Sequence, residues 1–316
     1  MKTLMYHYIR PPQENLPYFT YLPVERFAKQ VKFLRREFGL ADREEFLNWV
    51  ASPTQVPKPE GAVLTFDDGL VDHFRYAAPV LADLGAWGIF YVPTGVLDGD
   101  TVLDVHRIHL LLGTLGGPRC MSLVRELTEA QSFPDSSRRE FQLDTYVRQA
   151  SNRDSVTTFK RMMNYFVDYE VRSEILDQMI SIGLSREEWE RRTTGFYMNS
   201  EMITCLHRGG HLIGSHSVSH RLMSKLSSDD QREEIGESIL TLASITGSKP
   251  ITYCHPYGGF HSFTQETERL LNEAGIAFSF NVEQRDIQAL DLVVRPHALP
   301  RFDCNQFPHG EATVGQ

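Results

Sequence analysis

The stretch Gly61-Ala62-Val63-Leu64-Thr65-Phe66-Asp67-Asp68-Gly69 places two adjacent carboxylates directly after a short apolar run. The run is typical of a buried strand, and residues 74–84 have the spacing of a helix before a second apolar run at 88–92. This order of strand, acidic turn, helix and strand indicates a βα unit. In folds built from such units, the chemistry is assembled at the carboxyl ends of the parallel strands.

Asp67 and Asp68 lie where the first of these strands ends. Two buried carboxylates repel each other and lose solvation, so they require a cation, hydrogen-bond donors or water. A metal ion meets this requirement, and adjacent side chains that point in different directions allow one carboxylate to bind the ion while its neighbour acts as a base on water. The alternative is a simple turn with a helix cap, where Asp and Gly are favoured for local reasons.

Composition limits the classes of function. The chain has 316 residues, of which 41% are hydrophobic and 23% charged, as in a folded protein with a substantial core. Its formal net charge of -9 argues against nucleic acid as the main partner. The four cysteines are irregularly spaced, which predicts reduced thiols. No apolar segment has the length of a signal peptide or a transmembrane helix, so we expect a cytoplasmic protein.

Strand and helix patterns alternate on both sides of a long helical block. An apolar run at residues 3–9 precedes an amphipathic helix at 25–38, and the alternation resumes at Ser200. Between them, residues 97–194 are charged and helix-rich, without strand-like alternation. We therefore expect a single barrel-like domain over residues 1–316, with a helical insertion at about 97–194 that forms a lid or a wall of the binding site.

Two further polar motifs follow predicted strands. His216-Ser217-Val218-Ser219-His220 comes after the run at 211–215, and its spacing can bring both imidazoles to one ion, although histidines so spaced also occur as exposed or capping residues. The loop His255-Pro256-Tyr257-Gly258-Gly259 comes after the run at 250–254. Because the strand ends of a βα barrel face the same side, the combination with Asp67 and Asp68 favours one shared metal site.

Three motifs, taken in order, resemble those of the NodB-homology polysaccharide deacetylases, also called carbohydrate esterase family four. They are Thr65-Phe66-Asp67-Asp68-Gly69, His216-Ser217-Val218-Ser219-His220 and Pro256-Tyr257-Gly258. The resemblance covers about residues 1–95 and 195–301 and leaves out the helical block. It implies a distorted (β/α) barrel of the polysaccharide deacetylase type with a large helical insertion.

The resemblance also implies roles for individual residues. One divalent metal ion, usually zinc in this family, would be bound by Asp68, His216 and His220. Asp67 would be the general base that takes a proton from water as it attacks an acetamide carbonyl. The backbone N–H of Tyr257 would stabilise the oxyanion that develops on that carbonyl.

Two positions depart from the family pattern. Many members have an arginine two residues before the Pro-Tyr pair to orient the base, but this position is Cys254. The histidine of a Leu-x-His sequence, the usual general acid, is also missing, and His297 is the nearest substitute by chain position. His255 and His7 are expected to line the substrate site beside Tyr257. Two histidines of the helical block are rivals for the acid or sugar-binding role, His106 and His109.

The function that the resemblance implies is metal-dependent removal of an acetyl group from an N-acetylated sugar. With a cytoplasmic protein, the expected substrate is a nucleotide-linked, lipid-linked or terminal sugar in the biosynthesis of a surface glycan such as O-antigen, capsule or lipopolysaccharide. One alternative is an amidohydrolase of the same fold that acts on a small non-sugar amide. The other is a non-catalytic sugar-binding or assembly protein.

Overall fold

The chain forms two compact units in a computed structural model that describes residues 1–99, 101–128 and 154–315. The first unit comprises Met1–Pro11, Tyr21–Thr101 and Gly195–Thr313. The second comprises Pro12–Thr20, Val102–Thr194 and Val314–Gln316. Residues 129–153 of the predicted insertion lie outside the described residues. The division into one domain with an insertion at about 97–194 stays a prediction.

A curled sheet of seven parallel strands forms the centre of the first unit, in the order β7-β6-β5-β4-β3-β1-β8. The remaining strands, β2 and β9, form a separate two-stranded sheet. In chain order the strands are β1 (Lys2–Tyr6), β2 (Thr20–Tyr21), β3 (Ala62–Phe66), β4 (Ile89–Val92), β5 (Leu212–Ser215), β6 (Thr252–Cys254), β7 (Phe278–Phe280), β8 (Phe302–Asp303) and β9 (Thr313–Val314).

The segment at residues 299–303 includes the edge strand β8 and also contacts the opposite edge strand, β7. On one side, Leu299 forms a parallel bridge with Phe280, and its N–H donates to the carbonyl of Ser279 at 2.9 Å. On the other side, Phe302 of β8 pairs with Leu4 of β1. A single bridge among the described residues therefore joins the two edges of the curled sheet. The predicted distorted (β/α) barrel is confirmed.

β3 has the sequence character of a central parallel strand. All five of its residues are buried, and it pairs with β1 from Lys2↔Ala62 to Tyr6↔Phe66. A parallel strand covered on both faces reads as a nearly continuous apolar run, which is why this segment could be assigned from sequence. Because all the strands point the same way, the residues that follow β1, β3, β5 and β6 meet at one edge of the barrel.

Helices pack around the barrel strands. Phe27, Val31 and Leu34 of the first helix join Leu64 and Phe66 of β3 in one buried cluster. In chain order the helices of this unit are Val24–Glu37, Arg43–Ala51, Ala78–Asp83, Ser200–Arg208, Ser228–Thr246, Gln265–Glu273 and Ala289–Val294.

The helix predicted at residues 74–84 has an irregular first turn. It begins as a π-helical turn, His73–Ala77, in which the N–H of Ala78 donates to the carbonyl of His73. Pro79 follows within the first turn of the α-helix Ala78–Asp83. Proline has no N–H to donate, so the regular hydrogen-bond ladder is interrupted at this point and a wider turn is accommodated.

The second unit has a helical core of its own. Ile108, Leu123, Phe159 and Leu176 are buried together in it, and Arg172 donates to Asp104 at 2.8 Å. Its described helical segments are Asp104–Thr128, interrupted at Gly116, and then Ser155–Arg161, the π-helical turn Met162–Phe166, Tyr169–Gly183 and Arg186–Thr193. Of the helices described in either unit, none combines the length and apolar character needed to span a bilayer.

Candidate metal and catalytic site

The acidic turn after β3 is held by backbone hydrogen bonds to both neighbouring strands. The N–H of Asp67 donates to Tyr6 at the end of β1, and the N–H of Gly69 donates to Tyr91 of β4, each at 3.0 Å. Asp67 and Asp68 are 2% and 3% exposed. Both carboxylates are therefore fixed inside the protein at the carboxyl edge of the barrel.

The three predicted metal ligands lie together at this edge. Nε2 of His216 and Nε2 of His220 are each 3.3 Å from Oδ1 of Asp68. Nδ1 of His216 donates to the carbonyl of Cys254 at 2.8 Å, which leaves Nε2, on the side of Asp68, as the ring atom that could bind a metal ion. A carboxylate and two imidazoles converging in this way, with one imidazole oriented by a carbonyl, fit a zinc ion or a similar divalent metal.

Arg301 holds Asp67 through two parallel hydrogen bonds. Its Nη1 and Nη2 donate to Oδ1 and Oδ2 of Asp67 at 2.8 and 2.7 Å, and Nη1 also donates to Thr65 at 2.9 Å. Burial raises the pKa of Asp67, but the charge and hydrogen bonds of Arg301 outweigh it and lower the pKa to about 2. Asp67 is therefore ionised at neutral pH. Arg301 is a residue of the site that was not predicted from the sequence.

Cys254 contacts the same ion pair. Its Sγ lies 3.0 Å from Nη2 of Arg301 and 3.5 Å from Oδ2 of Asp67. Asp67, His216 and Cys254 form a second group of possible metal ligands. However, Asp67 is already engaged by Arg301, and burial raises the pKa of the Cys254 thiol. The group with Asp68, His216 and His220 is the better fit for a metal ion.

The loop that carries Tyr257 lies against the histidine pair. The rings of Tyr257 and His220 are 4.8 Å apart. The loop is fixed by Asn281, whose Oδ1 accepts from the N–H of Gly259 at 2.6 Å. Gly258 has a φ of 65°, and a Cβ there would lie 2.2 Å from the side chain of Val282, so no larger residue fits.

Strained backbone is concentrated in these motifs. Only five non-glycine residues in the described part of the chain have positive φ, and four of them follow barrel strands at this edge: Asp68, Ser217, His220 and Tyr257. Such conformations cost on the order of 1–3 kcal/mol each and tend to occur at functional sites, where the surrounding structure enforces them. The distribution supports the assignment of a site here independently of residue type.

His255 and His297 are buried and contact each other. Nε2 of His255 donates to the carbonyl of His297 at 2.8 Å, and its ring stacks on Phe263 at 3.7 Å. His255 is 1% exposed and His297 is 7% exposed. Nε2 of His255 also lies 3.1 Å from the hydroxyl of Ser279. Burial lowers the pKa of both residues, to about 3 for His255.

Burial of neutral His255 predicts a loss of stability in acid. The unfolded chain binds a proton at the ordinary pKa of 6.5 and the folded chain only near 3, so the stabilisation is complete above pH 6.5 and is lost as the pH falls towards 3. Between pH 7 and pH 5 the expected loss of stability from this residue is about 2 kcal/mol.

Urea unfolding in the presence of a chelator tests this expectation. From pH 7 to pH 5, His255→Gln is expected to lose about 2 kcal/mol less stability than the wild type. His309→Asn is the control, because His309 is exposed and asparagine tolerates its positive φ of 68°. Equal losses in the wild type and His255→Gln would contradict the expectation.

His7 is another histidine near Asp67. It follows β1, is half-buried, and is close enough to Asp67 to contribute to the lowered pKa of that carboxylate. Its carbonyl accepts a hydrogen bond from Nε2 of buried His73 at 2.7 Å. His106 and His109, the other candidates for the acid or sugar-binding role, belong to the second unit. Their rings are 6.2 Å apart.

One region of the chain matches a known protein family. Residues 185–279 match the sequence profile of the polysaccharide deacetylases. The matched region contains His216, His220 and the Tyr257 loop but not Asp67 or Asp68. No curated protein matches the chain at a significant level.

Solved structures share the fold over nearly the whole chain, at low sequence identity. The Streptococcus pyogenes deacetylase PplD has a TM-score of 0.58 and 14% identity, and the match covers 96% of this chain and 91% of that one. A de-N-acetylase from Aggregatibacter actinomycetemcomitans has a TM-score of 0.53 and 12% identity, with 95% and 93% covered. The deacetylase domain of BpsB from Bordetella bronchiseptica also has a TM-score of 0.53 and 12% identity, with 96% and 94% covered.

The profile match and the shared barrel agree with the three motifs read from the sequence. They confirm the predicted resemblance: the chain is built on the polysaccharide deacetylase barrel and carries the sequence signature of that family between residues 185 and 279.

Proposed function

We propose that this protein is a metal-dependent hydrolase that removes the acetyl group from an N-acetylated sugar. The observation that carries the proposal is an ionised, arginine-held Asp67 adjacent in sequence to Asp68, which lies against His216 and His220. A base beside three converging ligands is the arrangement that metal-assisted amide hydrolysis requires. The neighbouring structure of PplD was solved with acetate, which is the acid that this reaction would release.

Asp68, His216 and His220 would hold the metal ion. When bound there, a divalent ion supplies Lewis acidity and lowers the pKa of water to near neutrality. Three protein ligands leave coordination positions for water and substrate. His216 is oriented for this task by the carbonyl of Cys254.

Asp67 would accept the proton of the attacking water. Arg301 engages one lone pair on each of its oxygens, and an ionised carboxylate has about four such acceptor sites, so acceptor capacity remains for water. The paired hydrogen bonds also prevent rotation of the carboxylate. In this proposal Arg301 orients the base, a role for which the family pattern uses the position of Cys254.

Tyr257 and His7 would act on the substrate. By similarity to the family, the backbone N–H of Tyr257 stabilises the oxyanion, on a loop fixed by Asn281. The departing amine needs a proton. His297 was predicted to supply it, but His7 is half-buried beside Asp67 whereas His297 is almost completely buried against His255, so these observations favour His7 as the donor.

Acetate release from a substrate panel tests the proposed function. The panel contains N-acetylated monosaccharides, nucleotide-linked and lipid-linked N-acetylated sugars, chitin-type oligomers and simple non-sugar acetamides. We expect acetate from at least one sugar, with metal-loaded protein and not after chelation. Glycan precursors are included because a role in surface-glycan biosynthesis in the cytoplasm is part of the proposal.

The other outcomes distinguish the alternatives. Hydrolysis of non-sugar amides alone would replace the sugar deacetylase with an amidohydrolase of the same fold. Tight binding of a metal ion and a sugar without any release of acetate would indicate a binding protein.

A further inference from the structure

The loop between the two histidines has a strained backbone. Ser217 and His220 have φ values of 62° and 56°, which residues other than glycine rarely adopt. Only residues 217–219 separate the two imidazoles. A small rotation of this backbone would therefore move His220 relative to His216, so whatever fixes the loop also fixes the geometry of the predicted ligands.

Every N–H from Ser217 to His220 has a side-chain oxygen as its acceptor. The N–H of Ser217 donates to Oγ of Ser215 at 3.2 Å, and the N–H of His220 donates to Oγ of Ser217 at 3.0 Å. The two between them, of Val218 and Ser219, both donate to Oε2 of Glu234, at 2.8 and 2.9 Å. The hydroxyl of Ser219 donates to Oε1 of the same carboxylate.

We propose that Glu234 is the positioning residue of the metal site, holding the loop that sets His216 and His220 against Asp68. This inference rests on the proposed metal site. Glu234 belongs to the helix Ser228–Thr246, which is anchored by buried Ile235 and Ser238. The hydroxyls of Ser238 and Ser215 are 2.6 Å apart, so the helix is also tied to the end of β5.

The opposite side of the loop is held by the segment after β4. The N–H of Thr94 donates to the carbonyl of Ser217 at 3.0 Å, and the N–H of Gly95 donates to that of Val218 at 2.9 Å. The segment after β4 thus binds carbonyl groups of the loop, whereas Glu234 accepts from the N–H groups of Val218 and Ser219. Without its carboxylate, the two N–H groups lose charge-assisted bonds and the loop is free to relax on that side.

The test measures metal affinity, and not activity alone. Zinc and cobalt dissociation constants are determined by competition with a chromophoric chelator for the full chain, and the visible spectrum of the cobalt form reports ligand geometry. In Glu234→Ala, both affinities are expected to fall about 10–100-fold, the usual cost of losing a group that orients a ligand, and the cobalt spectrum is expected to change.

Two further variants show whether a change in metal affinity comes from the position of the loop or only from the loss of a negative charge. An unfolding measurement shows whether each variant is folded. Glu237→Ala removes the same charge from an exposed residue of the same helix. Glu237 and Glu234 both line one cavity at the protein surface, and this variant is expected to bind metal as the wild type does. Glu234→Gln keeps an oxygen acceptor for the two N–H groups and is expected to lose less affinity than Glu234→Ala. Thermal unfolding of the metal-free proteins confirms that each variant is folded.

Each other outcome overturns the assignment. Folded Glu234→Ala with wild-type affinities and cobalt spectrum would show that the loop keeps its geometry without the carboxylate. If metal affinity falls equally in Glu237→Ala, the loss in Glu234→Ala is a general effect of removing a negative charge and not of positioning the loop. If the wild type binds neither zinc nor cobalt, the metal site of the proposed function fails as well. The first two results would leave that proposed function standing.

Discussion

Asp67→Asn is expected to lower acetate release about 10²–10⁴-fold, the range that a positioned general base contributes. Asparagine has nearly the shape of aspartate but is uncharged and cannot take a proton from water. Because Asp67 is not one of the three predicted ligands, this variant should still bind metal. In His216→Ala, by contrast, both metal binding and acetate release should be lost. The two variants therefore distinguish a residue needed for the reaction from a residue needed for metal binding.

The comparison needs metal affinity and turnover for each variant. His309→Asn, which changes an exposed histidine, should behave as the wild type in both assays. Undiminished turnover in Asp67→Asn would remove Asp67 from the mechanism. Metal-loaded His216→Ala with normal affinity would remove His216 from the ligand set.

Arg301→Met is expected to destabilise the fold by about 3–5 kcal/mol, because it leaves a buried carboxylate without its partner. Arg301 and Asp67 have side chains only 1% and 3% exposed. Activity is expected to fall as well, since an unpaired Asp67 is no longer held in place. Arg301→Lys keeps the charge but cannot form two parallel bonds, so it should recover part of the stability and less of the activity.

Denaturant unfolding at neutral pH, followed through a double-mutant cycle, provides the measurement. Asp67→Asn combined with Arg301→Met removes both charges, so its loss of stability should be smaller than the sum of the two single losses. Simple additivity would mean that the two residues do not stabilise each other. A loss below about 1 kcal/mol in Arg301→Met would place the pair among weak, solvent-screened ones.

The sequence predicted the parts of the site that are encoded locally. Asp67 and Asp68, the histidine pair and the Tyr257 loop each follow an apolar run that forms a strand, and parallel strands bring such loops to one edge. Arg301 was missed because it lies 234 residues from Asp67 and no local pattern marks it as a partner. A signal was present: a charged residue between apolar Leu299 and Phe302, directly before the last barrel strand.

The direction of individual side chains was beyond sequence reasoning. His255 and His7 both follow strands and were both expected to line the substrate site. The structure leaves His7 half-buried beside Asp67 but turns His255 inwards to the carbonyl of His297 and the ring of Phe263. Whether a residue after a strand faces the opening or the core depends on backbone angles and distant packing partners, which the pattern of residue types does not contain.

The short segment at residues 299–303 links two events during synthesis of the chain. It joins the edges of the sheet, and it also carries Arg301 to Asp67. A nascent chain that has emerged only to residue 290 already contains Asp67 and every predicted metal ligand, but not Arg301, the arginine that holds Asp67. In the proposed mechanism, the capacity for hydrolysis would therefore arise only when the last segment of the barrel is in place.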